Sequence, residues 1–161
     1  MAGRDKLYYD GKEVANDAIT SFSGIYFYLS NFSRYYTPYD KIVYGSSEAA
    51  FQAQKTLDKS ERYSKFTDVE PGIAKKLGRQ VKLRPDWEEV KDDLMYEIVK
   101  SKFDNNPEIK RLLVDTGNRE LYEGNYWNDK YWGVVTEGDK LVGKNKLGKI
   151  LMKVREEYLA E

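Results

Sequence analysis

Residues Gly45-Ser46-Ser47-Glu48-Ala49-Ala50-Phe51-Gln52-Ala53-Gln54-Lys55 read GSSEAAFQAQK, and the chain changes character there. Upstream, Ile25-Tyr26-Phe27-Tyr28-Leu29 and Lys41-Ile42-Val43-Tyr44 are short β-branched and aromatic runs, separated by Ser30-Asn31-Phe32 and a loop holding Pro38, and they predict strands. From Ser46 onward a serine N-cap and repeated alanine predict helix. At about 100° per residue, Glu48, Gln52 and Lys55 share one helix face with Phe51 beside them, while Ala50, Ala53 and Leu57 share the other.

Helical signals dominate the rest of the chain. Pro71-Gly72 predicts a turn, followed by a short helix through Ile73, Ala74 and Leu77 that stops at Gly78. Asp86-Trp87-Glu88-Glu89 has capping-box spacing, and Trp87, Val90, Leu94 and Ile98 recur at helical intervals up to about Phe103. Asn106-Pro107 opens another helix over residues 107–116, ended by Gly117. The last helix carries Leu147, Ile150, Leu151, Val154 and Tyr158 on one face. The sequence thus predicts an α+β fold, with several helices around a small irregular sheet. No repeat or linker interrupts the 161 residues, which read as one compact domain, 1–161.

Composition excludes several chemistries. Cysteine and histidine are absent, so there is no disulfide, no thiolate nucleophile, no imidazole base and no soft-ligand metal site, and no metal or cofactor is expected. Acid-base work falls to Asp, Glu, Lys or Tyr with shifted pKa values. Twenty-seven basic and 27 acidic side chains give zero net charge and no global field to steer nucleic acid. The N-terminal MAGRDKLYYDGKEV lacks an apolar signal core and no apolar run reaches membrane-spanning length, so a cytoplasmic protein without a membrane partner is expected.

Three constellations could carry chemistry. Spacing alone makes the Glu48, Gln52 and Lys55 face an ordinary solvated one; under a cover of aromatics, a carboxyl there would instead rise in pKa and an amine fall, giving a proton donor and a nucleophile. Placed at a helix start, Glu48 would also lie where a substrate could meet backbone donors. The second is Trp127, Asp129, Trp132 and Gly133, which reads as a packed aromatic turn or as a sandwich for a planar base with an acid for ribose hydroxyls. The third, Lys140, Lys144, Lys146 and Lys149 around Gly143, reads as a solvated helix entry or as a phosphate cradle, to which Arg79 and Arg84 could add clamps. It lacks the Gly-Lys-Ser/Thr ending of a Walker A loop.

Taken together, Leu29-Ser30-Asn31-Phe32, Ser47-Glu48, Phe51-Gln52-Ala53-Gln54-Lys55, Gly78-Arg79, Asp86-Trp87, Lys91, Met95, Lys102-Phe103, Thr116-Gly117, Glu123, Asp129, Trp132-Gly133, Gly143, Asn145, Leu147-Gly148, Leu151-Met152 and Arg155 resemble the NADAR family in order and wording. The resemblance runs from about Phe22 to Tyr158. It departs at Ala49-Ala50, where the family usually has His-Tyr, and at Lys146, where arginine is usual.

The resemblance implies an N-glycosidase acting on ribosylated heterocycles. The substrates it implies are ribosylaminopyrimidine phosphate intermediates of riboflavin biosynthesis, or ADP-ribosyl-guanine in nucleic acid. Glu48, Lys55 and Asp129 would be catalytic. Glu48 would transfer the proton, Asp129 would steady the ribosyl cation or its hydroxyls, and Lys55 could instead attack C1′ to form a Schiff base. Trp87 or Trp132 would stack on the base, and Arg79 with Lys144 or Lys146 would hold phosphate, with Asn31, Phe32, Phe51, Gln52 and Asn145 completing the binding set. The rival from another class is a non-catalytic ADP-ribose or NAD-derived ligand-binding module, which needs neither the reactive acid nor the amine.

Overall fold

A computed structural model describes residues 5–161. Residues 1–4, part of the N-terminal stretch and of the expected 1–161 domain, lie outside the described residues. In chain order the elements are β1 (Tyr8–Tyr9), β2 (Lys12–Glu13), a 3₁₀ helix (Gly24–Leu29), β3 (Thr37–Tyr39), β4 (Ile42–Tyr44), α1 (Ser47–Ala53), α2 (Lys59–Phe66), α3 (Pro71–Gly78), α4 (Trp87–Asp104), α5 (Pro107–Asp115), β5 (Val135–Glu137), β6 (Lys140–Val142) and α6 (Lys146–Leu159). The fold is α+β. The chain divides into two compact units: Phe27–Leu112, and a discontinuous one formed by the chain up to Tyr26 with Leu113–Glu161.

In the Phe27–Leu112 unit, β3 and β4 form a hairpin pairing Thr37 with Tyr44 and Tyr39 with Ile42. It turns through Asp40 and Lys41, both at positive φ, as the twist of a two-residue hairpin demands. The helix α1 packs on α3 and α4, and α4 packs on β3. Ala49, Ala50 and Ala53 are fully buried, their small side chains suiting a helix enclosed by neighbours. Met95, Ile98, Val99 and Phe103 form the buried stripe of α4.

The discontinuous unit holds a four-stranded mixed sheet of order β2-β1-β6-β5, with β1 and β6 parallel and the outer pairs antiparallel. Val14, Tyr122, Val134 and Leu141 make its core, with Leu7, Tyr9 and Ala18 packed against them. The buried face of α6 holds Leu147, Leu151, Val154 and Tyr158, as its periodicity predicts, while Ile150, expected with them, is only half-buried.

Several expectations are corrected. Ile25–Leu29 is not a strand but part of a 3₁₀ helix: Tyr26 N–H donates to Ser23 O and Ser30 N–H to Phe27 O, and its buried side chains, Tyr28 and Leu29, are adjacent rather than alternating. Pro71 does not make a turn but opens α3, where its missing N–H has no helical partner to lose. Asp86 starts α4 without capping it, because its carboxylate accepts from Arg84 Nε at 2.7 Å and Nη2 at 3.0 Å. Leu57 lies beyond the end of α1 and is exposed, so it is not on the helix's apolar face.

Candidate active site

The expected solvated face of α1 is dry. Glu48 is 8% exposed and Gln52 6%. The helix begins as the sequence predicts, with Ser46 Oγ accepting from Ala49 N–H at 3.1 Å. Glu48 N–H donates to Asn31 O at 3.1 Å, so these two donors at the helix start serve the protein and are not open to a substrate. Asn31 also accepts from Ser47 Oγ through Oδ1 at 2.9 Å and donates through Nδ2 to Met95 Sδ at 3.4 Å. The Leu29–Phe32 turn is thereby fastened to the first turn of α1.

Within that helix Gln52 Nε2 donates to Glu48 Oε2 at 2.7 Å, an i,i+4 contact in a water-poor setting. Its Oε1 is buried with no hydrogen-bond partner among the described residues. That oxygen rests against Gly78, where an added Cβ would stand 1.9 Å from it, so Gly78 leaves the space the amide occupies. Phe51 and Trp87 pack with ring centroids 5.0 Å apart.

Lys55 follows α1, its carbonyl fixed by Arg84 N–H at 2.8 Å and its Nζ 5.8 Å from the Trp87 ring centre. Burial lowers its pKa below the usual lysine value; Glu48 opposes this, and Arg79, Lys75 and Lys91 add to it. Phe32 is 38% exposed, with Lys75 Nζ 5.9 Å from its ring centre. This unit therefore brings together Asn31, Phe32, Glu48, Phe51, Gln52, Lys55, Arg79 and Trp87 of the residues singled out in the sequence. Sequence reasoning missed Lys75, which lies on α3 four residues before Arg79, the residue that closes that helix.

The discontinuous unit holds Asp129, Trp132, Lys144, Asn145 and Lys146. Asp129 Oδ1 accepts from Tyr131 N–H at 3.0 Å and Trp132 N–H at 2.9 Å, so one carboxylate oxygen holds the turn. Tyr131 and Trp132 meet edge to face at 4.9 Å, and Lys144 and Lys146 place Nζ 5.1 and 5.7 Å from the Tyr131 ring centre. Asn145 is buried in the left-handed region, with Oδ1 accepting from Glu123 N–H and Nδ2 donating to Leu121 O, each at 3.0 Å. Among the described residues no group of three or more acids is placed to hold a metal ion, and no helix is long and apolar enough to cross a membrane.

An acid, an amide and a partly buried amine beside aromatic rings can support proton transfer and nucleophilic attack. The model of the NADAR domain matches residues 7–159, and the chain belongs to the NADAR family. It is 36% identical over 155 residues to N-glycosidase YbiA of Escherichia coli, covering 93% of this chain and 94% of that protein. The NMR structure of Escherichia coli YbiA superposes with a TM-score of 0.75 at 35% identity, over 89% of this chain and 86% of that one. A riboflavin biosynthesis protein of Vibrio vulnificus is 34% identical over 143 residues, 83% of this chain and 38% of that protein.

Proposed function

We propose that this chain is an N-glycosidase that hydrolyses the C–N bond between a ribose and a heterocycle, and that its substrate is a ribosylaminopyrimidine phosphate. The observation that carries the reading is the buried Glu48–Gln52 pair beside a lysine of lowered pKa. A chain that only bound the ligand would need neither. The family membership and the N-glycosidase relatives support the bond type, and the riboflavin biosynthesis relative supports the pyrimidine. Zero net charge gives no reason to expect a long nucleic acid.

Cleavage leaves the C1′–N electron pair on the base, which needs a proton, while C1′ needs a nucleophile. In the amine route neutral Lys55 Nζ bonds to C1′ as the bond to the base breaks, and Glu48, when protonated, gives its proton to the leaving nitrogen. The sugar ring opens to an imine, which water hydrolyses to the free sugar and the free lysine. In the water route the same proton transfer occurs and water adds to C1′ directly. Gln52 orients the Glu48 carboxyl, Trp87 stacks on the base and Arg79 with Lys75 holds phosphate. Asp129, Trp132, Lys144 or Lys146 and Asn145 lie on the discontinuous unit, and their assignment to ribosyl hydroxyls, base and phosphate rests on the family resemblance alone. Residues 1–161 act as one domain in this reading, and the absence of cysteine suits a cytoplasmic setting.

The test is to incubate the protein with ribosylaminopyrimidine phosphate and, separately, with an ADP-ribosylated guanine oligonucleotide, following free base by mass spectrometry. Release from the first supports the proposal, and release from the second alone moves the substrate to ADP-ribosyl-guanine. Release from neither, with ADP-ribose bound, makes the chain a binding module. Borohydride trapping separates the routes: an adduct that persists in Lys55→Ala excludes the Schiff base at that residue.

A further inference from the structure

Lys102, midway through the last turns of α4, is 1% exposed. Its ammonium has three N–H donors and meets three acceptors, all from one short segment: Tyr28 O at 2.7 Å, Ser30 O at 3.0 Å and Ser33 Oγ at 3.0 Å. The Tyr35 and Phe103 rings lie 5.7 and 5.2 Å from Nζ. Burial is costly to this charge and pulls its pKa down to about 7. A methionine would fill the place without that cost. What the ammonium does there is hold the Tyr28–Ser33 segment together.

That segment is the one that holds the active helix. Ser33 Oγ donates to Ser30 O, Phe32 N–H donates to Ser30 Oγ at 3.1 Å, and the residue between them, Asn31, accepts from Glu48 N–H and from Ser47 Oγ. A single turn thus connects the Lys102 ammonium to the backbone of Glu48, and carries Phe32 beside it. We propose that Lys102 is a positioning residue for the glycosidase reaction, its three hydrogen bonds fixing the Tyr28–Ser33 turn so that Asn31 sets the place of Glu48 and Phe32 stands at the site.

This proposal rests on the N-glycosidase reading, and its test separates the two. The variants Lys102→Met and Ser33→Ala are compared with wild type in base release and in amide hydrogen exchange by NMR, with Ile98 and Val99 of α4 as internal references. In Lys102→Met, kcat is expected to fall roughly tenfold to a hundredfold with KM within about threefold, because a misplaced acid costs rate more than binding. Exchange of the Glu48 amide is expected to rise by about tenfold while the references stay protected, which a general loss of stability would not produce. Ser33→Ala, which removes one of the three acceptors, should move both readouts the same way by a smaller factor, and decides the matter by itself if Lys102→Met does not fold. Wild-type kcat together with wild-type Glu48 protection in a folded variant would overturn the proposal. If wild type releases no base, the function reading falls and the Glu48 amide alone decides the positioning role.

Discussion

Gln52 stands between two constraints that one methyl group would bring into conflict. Its Nε2 must face Glu48, and its Oε1 then rests where a side chain at position 78 would begin. In Gly78→Ala the new Cβ displaces the far end of a flexible side chain, so the fold adjusts cheaply, and alanine gains about 1 kcal/mol of helix propensity. The amide, however, leaves Glu48. We expect an unfolding free energy within about 1 kcal/mol of wild type, but a kcat lower by about tenfold or more. Steady-state base release and a urea melt check this together. Lys55 gives a second outcome at this scale. Burial sets its lowered pKa, Glu48 opposes, and Arg79, Lys75 and Lys91 reinforce it. Trapping by borohydride, which needs the free amine, should therefore rise with pH through a midpoint below that of an ordinary lysine. Lys75→Gln should move the midpoint up, and Arg79→Gln likewise. The folded chain releases this proton at lower pH than the unfolded chain, so its stability should grow as pH rises across that window and be unaffected below it. A Lys75→Gln midpoint equal to or below wild type would contradict the assignment.

At the scale of elements, α1 shows how far the sequence reached. The Ser46 cap, the alanine-rich face and the grouping of Glu48, Gln52 and Phe51 were all legible from local pattern, since each depends on neighbours within one or two turns. The helix ends at Ala53, sooner than the pattern implied, because Gln54 and Lys55 close tighter bonds to Phe51 O and Gln52 O. Burial of Glu48 was not legible, because what lies around it comes from elsewhere: Asn31 from the turn before, Gly78 from α3, Trp87 from α4. Strands β1, β2, β5 and β6 escaped for another reason, being two or three residues long and too short to show alternation. Ile25–Leu29 misled, since aromatic and β-branched composition cannot tell a strand from a 3₁₀ helix when no partner strand is present. Because Ser46 is buried and caps the helix that carries Glu48, Ser46→Ala should cost about 1 kcal/mol of unfolding free energy. Urea unfolding measures it, and no loss would mean that the cap does not hold the helix start.

Over the whole molecule, family membership links features that local reading kept apart. The NADAR model runs from residue 7 to 159 and so passes through both compact units. The chain has neither histidine nor cysteine, and the departures at Ala49-Ala50 leave the acid, the amide and the amine in place. With neither histidine nor cysteine, acid-base work falls to carboxylates and amines, and in the proposed reading it is assigned to Glu48 and Lys55. The direct measurement is the rate of free-base release from ribosylaminopyrimidine phosphate by wild type, Glu48→Gln and Lys55→Ala, each confirmed as folded. The account predicts turnover by wild type and, in Glu48→Gln, a loss of roughly a hundredfold or more, as expected for removal of a positioned proton donor. Wild-type turnover undiminished in both variants would contradict it.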